Sequence, residues 1–296
     1  MIFIIMNIIK PKWLKIKILK SNKNINIIKH NLKKNNLHSV CQESSCPNLM
    51  HCFNKGIATF MILGNICTRK CLFCNINKGK PDIINFSEAK KLSKLIYEMN
   101  LKYVVITSVN RDDLKDGGAL FFSYCINKIR KKNKKIKVEI LVPDFKNCEK
   151  EAITIFTYNP PDIFNHNIEN VERIHSEIKP GGNYKSSLDL LYMFKKRNPN
   201  ILTKSGIILG LGEKMNEILK TMHDLHDNGV SMLTIGQYLQ PTKKHISVKK
   251  YITIKEFKTL KKIGKKIGFT YIASGPFVRS SYNAELQFRG IEIKIK

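Results

Sequence analysis

The sequence predicts an α/β barrel, because apolar runs typical of buried strands alternate about six times with amphipathic helical stretches. The chain has 296 residues, 43% of them hydrophobic, which suits one large domain with a full core. Alternation alone does not close a sheet, but it favours a barrel over a doubly wound sheet. In a parallel barrel the loops that follow the strands form the active face, so polar residues at strand ends are the first candidates for function.

The N-terminal 40 residues are rich in Lys and Asn, and we expect Trp13 to anchor this stretch on the body of the protein. The apolar run at residues 58–64 predicts the first strand, which leads directly into a cysteine-bearing loop. Residues 87–99 have the apolar spacing of an amphipathic helix. Further strands are predicted at residues 102–108, 137–143, 162–167, 204–210 and 231–237, with helical stretches between them.

Polar side chains stand at the ends of these predicted strands, where a parallel barrel would bring them together beside the cysteine loop. We expect them to line a cofactor pocket. Each can also be explained as a partner for a buried backbone group, and His166 fits a hydrogen-bonded wall residue better than a catalyst. The pocket candidates are Thr107, Ser108, Glu139, Asn165, Asn167, Lys204, Gly210 and Glu213, with Gln237 and Tyr238 after the last strand.

The formal net charge of +29 would suggest nucleic-acid binding, because Lys and Arg that neutralise phosphates supply most non-specific affinity. Only seven of the 52 basic residues are Arg, however, whereas bidentate recognition of bases and phosphates prefers Arg. The Lys residues accompany Asn and Ile throughout the chain, so we interpret the charge as a solvated surface. Nucleic acid is therefore not expected as a partner.

No stretch reaches the roughly 20 apolar residues that a membrane-spanning helix requires. The opening MIFIIM is shorter than a signal-peptide core and is not followed by a small-residue cleavage site. We therefore expect a protein of the bacterial cytoplasm without a membrane partner, although an organelle protein lacking its transit peptide would look the same. In a reducing compartment, clustered cysteines are more often metal ligands than disulfides.

Six of the eight cysteines form two closely spaced triplets, Cys41-x4-Cys46-x5-Cys52 and Cys67-x3-Cys71-x2-Cys74. Structural zinc sites and ordinary ferredoxin clusters use four protein ligands, whereas three thiolates on a four-iron cluster leave one iron open for chemistry. Cys125 and Cys148 stand alone, and burial as small apolar side chains explains them better than catalysis does.

The second triplet, with Phe73 before its last cysteine, resembles the cluster signature of the radical S-adenosylmethionine (SAM) superfamily. Segments along nearly the whole chain are similar, in the same order, to lipoyl synthases. These segments are CQESSCPNLMHC, ATFMILGNICTRKCLFC, YVVITSVNRDDLKDGGA, LVPDF, FNHNIENV, TKSGIILGLGE, LTIGQYLQP and GPFVRSSYNAEL. Two triplets together with RSSY are much more specific than a single triplet, so the chain resembles the lipoyl synthase family.

This resemblance implies a partial (β/α)6 TIM-type barrel at residues 57–270. Extensions at residues 1–56 and 271–296 would carry an auxiliary iron-sulfur cluster. The 4Fe-4S cluster that binds and cleaves SAM would be held by Cys67, Cys71 and Cys74. The auxiliary 4Fe-4S cluster would be held by Cys41, Cys46, Cys52 and Ser281 of the RSSY motif. Without the resemblance, Ser281 is better explained as a hydroxyl that caps a terminal turn.

The implied reaction is insertion of two sulfur atoms at C6 and C8 of an octanoyl group carried on a lysine of a lipoyl-carrier domain. The sulfur would come from the auxiliary cluster, whose serine ligand is a hard oxygen on soft iron and therefore easily released. Radical abstraction needs no general base, so no catalytic side chain is expected beyond the clusters. The implied SAM contacts include Asp116, Gly117 and Gly118 near the methionine amino group, and the Gly206 to Glu213 turn near adenine, for which a tight strand-to-helix turn is the alternative.

The implied partners are octanoylated carrier domains of 2-oxoacid dehydrogenase E2 subunits or of the glycine-cleavage H protein, and an electron donor such as flavodoxin or ferredoxin. Two other interpretations stay open at this point. One is another radical SAM enzyme with an accessory cluster, either a biotin-synthase-like sulfur inserter or a tRNA methylthiotransferase, although the latter places its first cysteines farther apart. The other is a metal-stapled nucleic-acid-binding module, which a 296-residue chain with its own core does not need.

Overall fold

A computed structural model describes residues 9–15 and 23–291 of the chain. Its strands are β1 His38–Ser39, β2 Thr59–Ile62, β3 Ile66–Cys67, β4 Asn77–Lys78, β5 Tyr103–Ser108, β6 Lys137–Leu141, β7 Ile163–Asn165, β8 Leu202–Leu209, β9 Met232–Gln237 and β10 Tyr271–Ser274. Its helices are α1 Lys23–Asn35, α2 Val40–Glu43, α3 Leu49–Asn54, α4 Ser87–Glu98, α5 Ala119–Lys132, α6 Glu149–Tyr158, α7 Glu172–Ile178, α8 Tyr184–Arg197, α9 Met215–Asp227, α10 Ile254–Ile267 and α11 Ala284–Phe288, preceded by a 3₁₀ turn at Lys12–Leu14.

The central sheet of the described residues has eight strands in the order β1-β2-β5-β6-β7-β8-β9-β10. Strand β2 and strands β5 to β10 run parallel to their neighbours, and only β1 is antiparallel, beside β2. Helices connect the parallel strands in six successive β/α units, from β2 and α4 to β9 and α10, and β10 completes the sheet. The fold is therefore the partial (β/α) barrel that the alternation predicted, open between β1 and β10.

All six predicted strands lie on strands of the central sheet, whereas its strands β1 and β10 and the short pair β3 and β4 were not predicted. Strand β10 has only four residues, which is too short for an apolar period to mark it, and it begins one residue after the predicted barrel boundary at residue 270. The sheet thus extends into the stretch predicted as a C-terminal extension. At the other end β1 pairs with β2, so the predicted N-terminal extension also contributes to the sheet.

A row of phenylalanine rings fills the space between the sheet and its outer helices. Phe164 of β7 stacks on Phe194 of α8 with ring centres 4.0 Å apart and contacts Phe156 of α6, which in turn contacts Phe122 of α5. All four side chains are fully buried, and each such ring contributes strongly to stability through the area it removes from water. Cys125 and Cys148 are buried in the same core, as expected for solitary cysteines.

The N-terminal stretch is bound to the body through aliphatic side chains. Ile25, Ile28 and Leu32 form the buried stripe of α1, and Leu14 is fully buried while Trp13, the predicted anchor, is only partly buried. The opening MIFIIM lies outside the described residues. No helix in the described ranges is long and apolar enough to cross a membrane.

The C-terminal segment after β10 packs against the strand starts of the barrel. Val278, Tyr282 and Phe288 join a small apolar cluster with Ile163 of β7 and Met232 of β9. The segment passes so close to β9 that a Cβ at residue 236, a glycine, would lie 2.1 Å from the backbone oxygen of Val278. The C-terminal segment also reaches the first cysteine segment, where Asn48 donates to the backbone oxygen of Phe277. These contacts help to position the candidate site.

Candidate active site

A cavity of about 520 Å³ opens at the carboxyl ends of the parallel strands. Residues at the ends of β5, β6, β7, β8 and β9 form its inner wall, as expected for the active face of a parallel barrel. Its outer wall comes from the two cysteine-bearing segments and from the C-terminal segment. The wall includes Cys41, Cys46, Cys67, Cys71, Cys74, Arg279, Ser280 and Ser281. Residues separated by more than 200 positions in sequence therefore meet around one space.

The second triplet lies on a loop that is closed at its base by β3 and β4, in which Ile66 pairs with Asn77 and Cys67 with Lys78. Two backbone amides, those of Arg69 and Asn110, donate hydrogen bonds of 3.4 Å to Cys67 Sγ. The loop therefore directs two backbone donors at the sulfur of Cys67.

Arg69 fixes this loop to the neighbouring barrel loops. Its guanidinium makes a two-pronged ion pair with Asp112, contacts Asp144 at 3.2 Å and donates to the backbone oxygen of Gly181 at 2.8 Å. Thr68 next to it donates to the carboxylate of Asp112 at 2.8 Å. Because Arg69 is 7% exposed, its contacts are well shielded from water and salt.

The long loop between β9 and α10 covers the same triplet from the other side. The amide of Ile246 donates to the backbone oxygen of Leu72 at 3.2 Å, and His245 Nε2 lies 3.2 Å from the backbone oxygen of Cys74. Leu72 also donates its amide to the oxygen of Ile178, the last residue of α7. The loop bearing the second triplet is thus held on several sides by backbone contacts.

The first triplet lies on two short helices between β1 and β2. Cys41 belongs to α2, which Ser39 caps through its side chain, and Cys52 belongs to α3. Cys46 lies between them, and its amide donates to the backbone oxygen of Cys41 at 3.0 Å. Cys52 does not reach the cavity wall, but its thiol is close enough to Cys41 and Cys46 for their charges to act on its pKa.

Ser281 reaches the first triplet from the C-terminal segment. Its Oγ accepts a hydrogen bond of 2.7 Å from Oγ1 of Thr59, the first residue of β2. Ser280 beside it exchanges hydrogen bonds of 2.7 and 2.9 Å with the side chain of Asn167. Asn48, between Cys46 and Cys52, donates to the backbone oxygen of Phe277 at 2.6 Å. These contacts attach the RSSY motif to the sheet and to the cysteine segment.

Burial makes the thiols weak acids as long as nothing compensates their charge. It raises the pKa of Cys41 and Cys74 to about 11 and that of Cys52 and Cys71 to about 12, with neighbouring cysteines adding to the rise in Cys41, Cys52 and Cys71. Deprotonation of four such thiols, three of them on the cavity wall and Cys52 behind it, is costly unless a cation that binds thiolates offsets their charge. The donor set fits soft iron, and we expect proton release when metal binds.

Single-ion sites are not formed by these residues. In residues 9–15 and 23–291, no three His, Cys, Asp or Glu side chains converge closely enough to hold one metal ion. A four-iron cluster is larger than an ion and spreads its cysteine ligands over the corners of a cube, so two triplets around one cavity suit it better. The residues present therefore fit two iron-sulfur clusters.

The predicted pocket residues divide into two groups. Thr107, Ser108 and Asn167 line the cavity, as does His166, whose Nδ1 lies 3.0 Å from the backbone oxygen of Val142. Burial, together with the charge of Lys179, lowers the pKa of His166 to about 3, so the ring is neutral. His166 Nε2 is buried and has no hydrogen-bond partner among the described residues.

Glu139, Asn165 and Lys204 instead form a network in the closed barrel interior, away from the cavity wall. Lys204 Nζ lies 3.1 Å from Glu139 Oε1, which also accepts from Asn165 at 2.8 Å, and Tyr103 donates to Glu139 Oε2 at 2.5 Å. Burial raises the pKa of Tyr103, and the Glu139 charge raises it further, so this hydroxyl keeps its proton. The network pairs the buried charges of Glu139 and Lys204. A role of Glu139, Asn165 or Lys204 in binding SAM stays a prediction.

The predicted turn residues have structural partners. The carboxylate of Asp116 accepts from the amides of Gly118 and Leu120 and so caps the start of α5, while Glu213 accepts from the amides of Gly210 and Leu211. A Cβ on residue 118 would lie 2.4 Å from the side chain of Leu63, which explains the need for glycine there. None of Asp116, Gly117, Gly118, Gly210 and Glu213 lines the described cavity. Their roles at SAM remain predictions.

Sequence reasoning missed several residues of the cavity wall. Lys179 is 7% exposed, lies 3.7 Å from Asp144 and is close enough to Cys71 and Glu169 to lower the pKa of both. Burial nevertheless raises the pKa of Glu169. Glu169 lies in the quoted segment FNHNIENV and could have been found there, whereas Lys179 lies in a helical stretch without a motif.

Arg279 brings a positive charge to the side of the first triplet. Its guanidinium donates to the backbone oxygen of Val278 at 2.7 Å. Burial lowers the pKa of Arg279, and the charge of Cys46 acts against this. The cavity therefore offers Lys179 near one triplet and Arg279 near the other.

Comparison with known proteins assigns this arrangement to a family. The model of the radical SAM superfamily matches residues 61–225. The chain is 61% identical over 279 residues to a lipoyl synthase of Buchnera aphidicola, covering 94% of this chain and 90% of that protein. It is 56% identical over 278 residues to a lipoyl synthase of Wigglesworthia glossinidia brevipalpis, covering 94% and 88%.

Solved structures share the fold at low identity. The hydrogenase maturase HydG of Carboxydothermus hydrogenoformans superposes with a TM-score of 0.60 at 15% identity, over 79% of this chain and 56% of that chain. SuiB of Streptococcus suis bound to SAM superposes with a TM-score of 0.58 at 12% identity, over 84% and 60%. With the curated relatives, the superfamily match and the two triplets around one cavity, the chain belongs to the lipoyl synthase family of radical SAM enzymes.

Proposed function

We propose that this chain inserts two sulfur atoms at C6 and C8 of an octanoyl group attached to a lysine of a lipoyl-carrier domain. The cluster that binds SAM is held by Cys67, Cys71 and Cys74. The auxiliary 4Fe-4S cluster that provides the sulfur is held by Cys41, Cys46, Cys52 and Ser281. When bound, these groups supply an electron, a 5'-deoxyadenosyl radical that removes hydrogen from unactivated carbon, and the sulfur.

One observation carries this proposal: members of both triplets and Ser281 line the same cavity of about 520 Å³. Two successive reactions on one acyl chain require that hydrogen removal and sulfur delivery occur within reach of each other. A cavity shared by both triplets meets that requirement, whereas two separate sites would not.

The other walls of the cavity suit an acyl chain. Several apolar side chains line it. These side chains are Val40, Met61, Val109, Leu141, Ile208 and Leu239. Apolar walls with a few convergent polar groups are typical of small-molecule sites, and they also limit the access of water to a reactive radical.

The partners of this reaction follow from its chemistry. We propose octanoylated carrier domains of 2-oxoacid dehydrogenase E2 subunits or of the glycine-cleavage H protein, with reduction by flavodoxin or ferredoxin. The net charge of +29 would steer an acidic carrier domain toward the enzyme. We place the reaction in the cytoplasm, where thiols remain reduced.

The test uses anaerobically reconstituted protein with SAM, dithionite and an octanoyl-lysyl carrier peptide. We expect about eight irons per chain, as two four-iron clusters require, together with 5'-deoxyadenosine and a peptide that gains two sulfur atoms in the mass spectrum. Deoxyadenosine without sulfur on the peptide would reject the substrate while keeping the radical chemistry. Absence of bound iron would reject the proposal as a whole.

Matched variants separate the two triplets. Cys71→Ala should abolish deoxyadenosine formation, whereas Cys46→Ala should keep it and lose sulfur insertion. Cys125→Ala, in the core, is the control for removing a thiol. Loss of deoxyadenosine in both Cys46→Ala and Cys71→Ala would contradict the proposed division of labour.

A further inference from the structure

Thr59 contacts two of the four residues assigned to the auxiliary cluster. Its hydroxyl donates to Ser281 Oγ at 2.7 Å, and its amide and hydroxyl both act on the sulfur of Cys41. The side chain is 3% exposed, so these contacts are not in competition with bulk water. Sequence analysis assigned this residue only to an apolar strand, and it plays no part in the proposed reaction described above.

The position of Thr59 is fixed by the sheet. It is the first residue of β2 and pairs with Val105 of β5, while the next residues of β2 pair on their other side with β1, which leads directly into α2 and Cys41. Ser281, by contrast, lies 222 residues away on a segment after the last strand. The contact between the two hydroxyls therefore attaches the C-terminal segment to a strand whose position the sheet fixes.

A ligating serine oxygen carries negative charge and accepts hydrogen bonds but cannot donate them. Thr59 has one hydroxyl proton, and an amide that can serve Cys41 separately, so both ligand atoms can be satisfied at once. A hydrogen bond to a charged oxygen is stronger than one between neutral groups. We propose that Thr59 is the positioning residue that holds Ser281 Oγ in place as the fourth ligand of the auxiliary cluster.

This inference rests on the proposed function, because it takes the assignment of Ser281 as a ligand from there. Its distinctive consequence is that the Thr59 hydroxyl, whose single proton is then donated to Ser281 Oγ, acts through Ser281, whereas the Thr59 amide serves Cys41 and is kept in Thr59→Val. Removing the Thr59 hydroxyl should loosen the iron that Ser281 holds, and it should have no additional effect when Ser281 is already absent.

The test uses the full-length chain with Cys67, Cys71 and Cys74 replaced by Ala, so that one cluster remains. After anaerobic reconstitution, iron and sulfide are counted and the rate of iron transfer to the chelator bathophenanthroline is recorded. We expect Thr59→Val to speed the release of the first iron about tenfold, as loss of a hydrogen bond to a charged group predicts. Thr59→Ser, which keeps the hydroxyl, should behave like the parent protein.

Thr203→Val is the matched control, because Thr203 is also a fully buried hydroxyl near the start of a barrel strand and donates to the backbone oxygen of Gly229. Its iron release should equal that of the parent. If Thr59→Val does not fold, as judged by circular dichroism, Thr59→Ala provides the same comparison without the added methyl. Iron release that Thr59→Val or Thr59→Ala leaves unchanged would overturn the role of Thr59.

The double variant Thr59→Val with Ser281→Ala distinguishes this inference from the proposed function. We expect it to release iron no faster than Ser281→Ala alone. Additive effects would overturn a role through Ser281, even though the auxiliary cluster itself would stand. If Ser281→Ala leaves iron release unchanged, or if the parent binds no iron, the proposed ligand set fails and the role of Thr59 fails with it.

Discussion

The two cysteine triplets face the same cavity, yet the chain builds them in different ways. The second triplet spans eight residues, and Arg69 within it is bound to Asp112 and Asp144 on the two following barrel loops. The first triplet lies outside the parallel strands, between β1 and β2, where Thr59 contacts Ser281 of the C-terminal segment. The second triplet is thus held by barrel loops, whereas the first lies where an N-terminal and a C-terminal segment meet.

This difference has a functional meaning under the proposed reaction. A cluster that must act repeatedly on SAM benefits from a rigid seat, which several ion pairs and backbone contacts provide. A cluster that gives up its sulfur must be opened and rebuilt, and a seat formed by short helices and a terminal segment suits that purpose. Changes in the barrel should therefore affect mainly the second triplet, and changes in the terminal segments mainly the first.

Arg69→Met should give the largest effect and test the rigid side of this comparison. The substitution removes the buried guanidinium that pairs with both Asp112 and Asp144, and only Asp144 keeps a second cation, Lys179 at 3.7 Å. We expect this to cost about 3–5 kcal/mol of unfolding free energy. We expect SAM cleavage to be lost and about half of the iron to be retained, on the first triplet. Iron analysis, deoxyadenosine assays and urea unfolding measure these outcomes.

Arg173→Met is the control for Arg69. Arg173 also pairs with a carboxylate, that of Glu217, but its side chain is 54% exposed. Exposed pairs contribute little, so activity and stability should not change. Loss of iron from both triplets in Arg69→Met would break the comparison, because the two sites would then depend on the same support.

Lys204→Met should also lower the unfolding free energy by about 3–5 kcal/mol, but it should not affect one triplet more than the other. Lys204 and Glu139 are both fully buried, so removal of the ammonium leaves an uncompensated carboxylate in the barrel interior. Urea unfolding measures the loss, and the folded fraction should bind iron at both triplets. Lys220→Met, which removes a cation that is 61% exposed, should change the unfolding free energy by no more than about 0.5 kcal/mol. Selective loss of one cluster would mean that the network positions a site directly.

The sequence predicted the barrel well, since its strands are apolar runs whose period is visible without tertiary information. Strand β10 and the pairing of β1 escaped prediction because each has four residues or fewer and gains its place only from a neighbouring strand. The motif cysteines and Ser281 could be named because a family resemblance carried them. The cavity that they share, however, depends on how the N-terminal and C-terminal segments pack on the barrel, and no local sequence pattern encodes that packing.

The pocket residues show the same limit more sharply. Thr107 and Glu139 both lie in predicted strands of similar pattern, yet one lines the cavity and the other is sealed in the interior. In a barrel, the position of a side chain along its strand decides whether it lines the cavity or is buried in the interior. That position depends on the register between strands. Lys179 was missed because the candidates were residues at strand ends, whereas Lys179 reaches the cavity from the end of a helix.

Acidification should destabilise the protein on the side of the second triplet. Burial, together with the charge of Lys179, lowers the pKa of His175 to about 4, whereas the unfolded chain has the ordinary value of about 6.5. Between these values the unfolded state binds more protons, so stability falls as the pH falls from about 6.5 toward 4. We expect a loss of about 3 kcal/mol from His175 by pH 4, measured by urea unfolding of the metal-free chain.

His175→Leu should flatten this part of the pH profile, because it removes the group that the unfolded state protonates. Replacement of the exposed His30 by Gln should leave the profile as in the parent protein. If His175→Leu left the slope of unfolding free energy against pH unchanged between pH 6.5 and pH 4, another group would govern acid stability. Acid sensitivity would then not distinguish the surroundings of the second triplet from those of the first.

Gly236→Ala should have the smallest effect on stability and the most selective effect on the first triplet. A Cβ at this position would lie 2.1 Å from the backbone oxygen of Val278, so the C-terminal segment must shift away from β9. Overpacking of this kind costs about 1–3 kcal/mol, and the shift would move Ser281, three residues farther along, from its contact with Thr59. We expect SAM cleavage to persist while the first iron of the auxiliary cluster is released faster.

Gly79→Ala provides the matched control beside the other triplet. A Cβ there would lie 3.4 Å from Ile66, an ordinary contact, and the amide of Gly79 would still donate to Cys67. Both iron sites should therefore behave as in the parent. If Gly236→Ala weakened SAM cleavage as strongly as it weakened iron retention at the first triplet, the comparison would fail. The C-terminal segment would then support both triplets and not only the first. A selective effect would instead show that the protein can loosen its sulfur-donating site without disturbing the site that generates the radical.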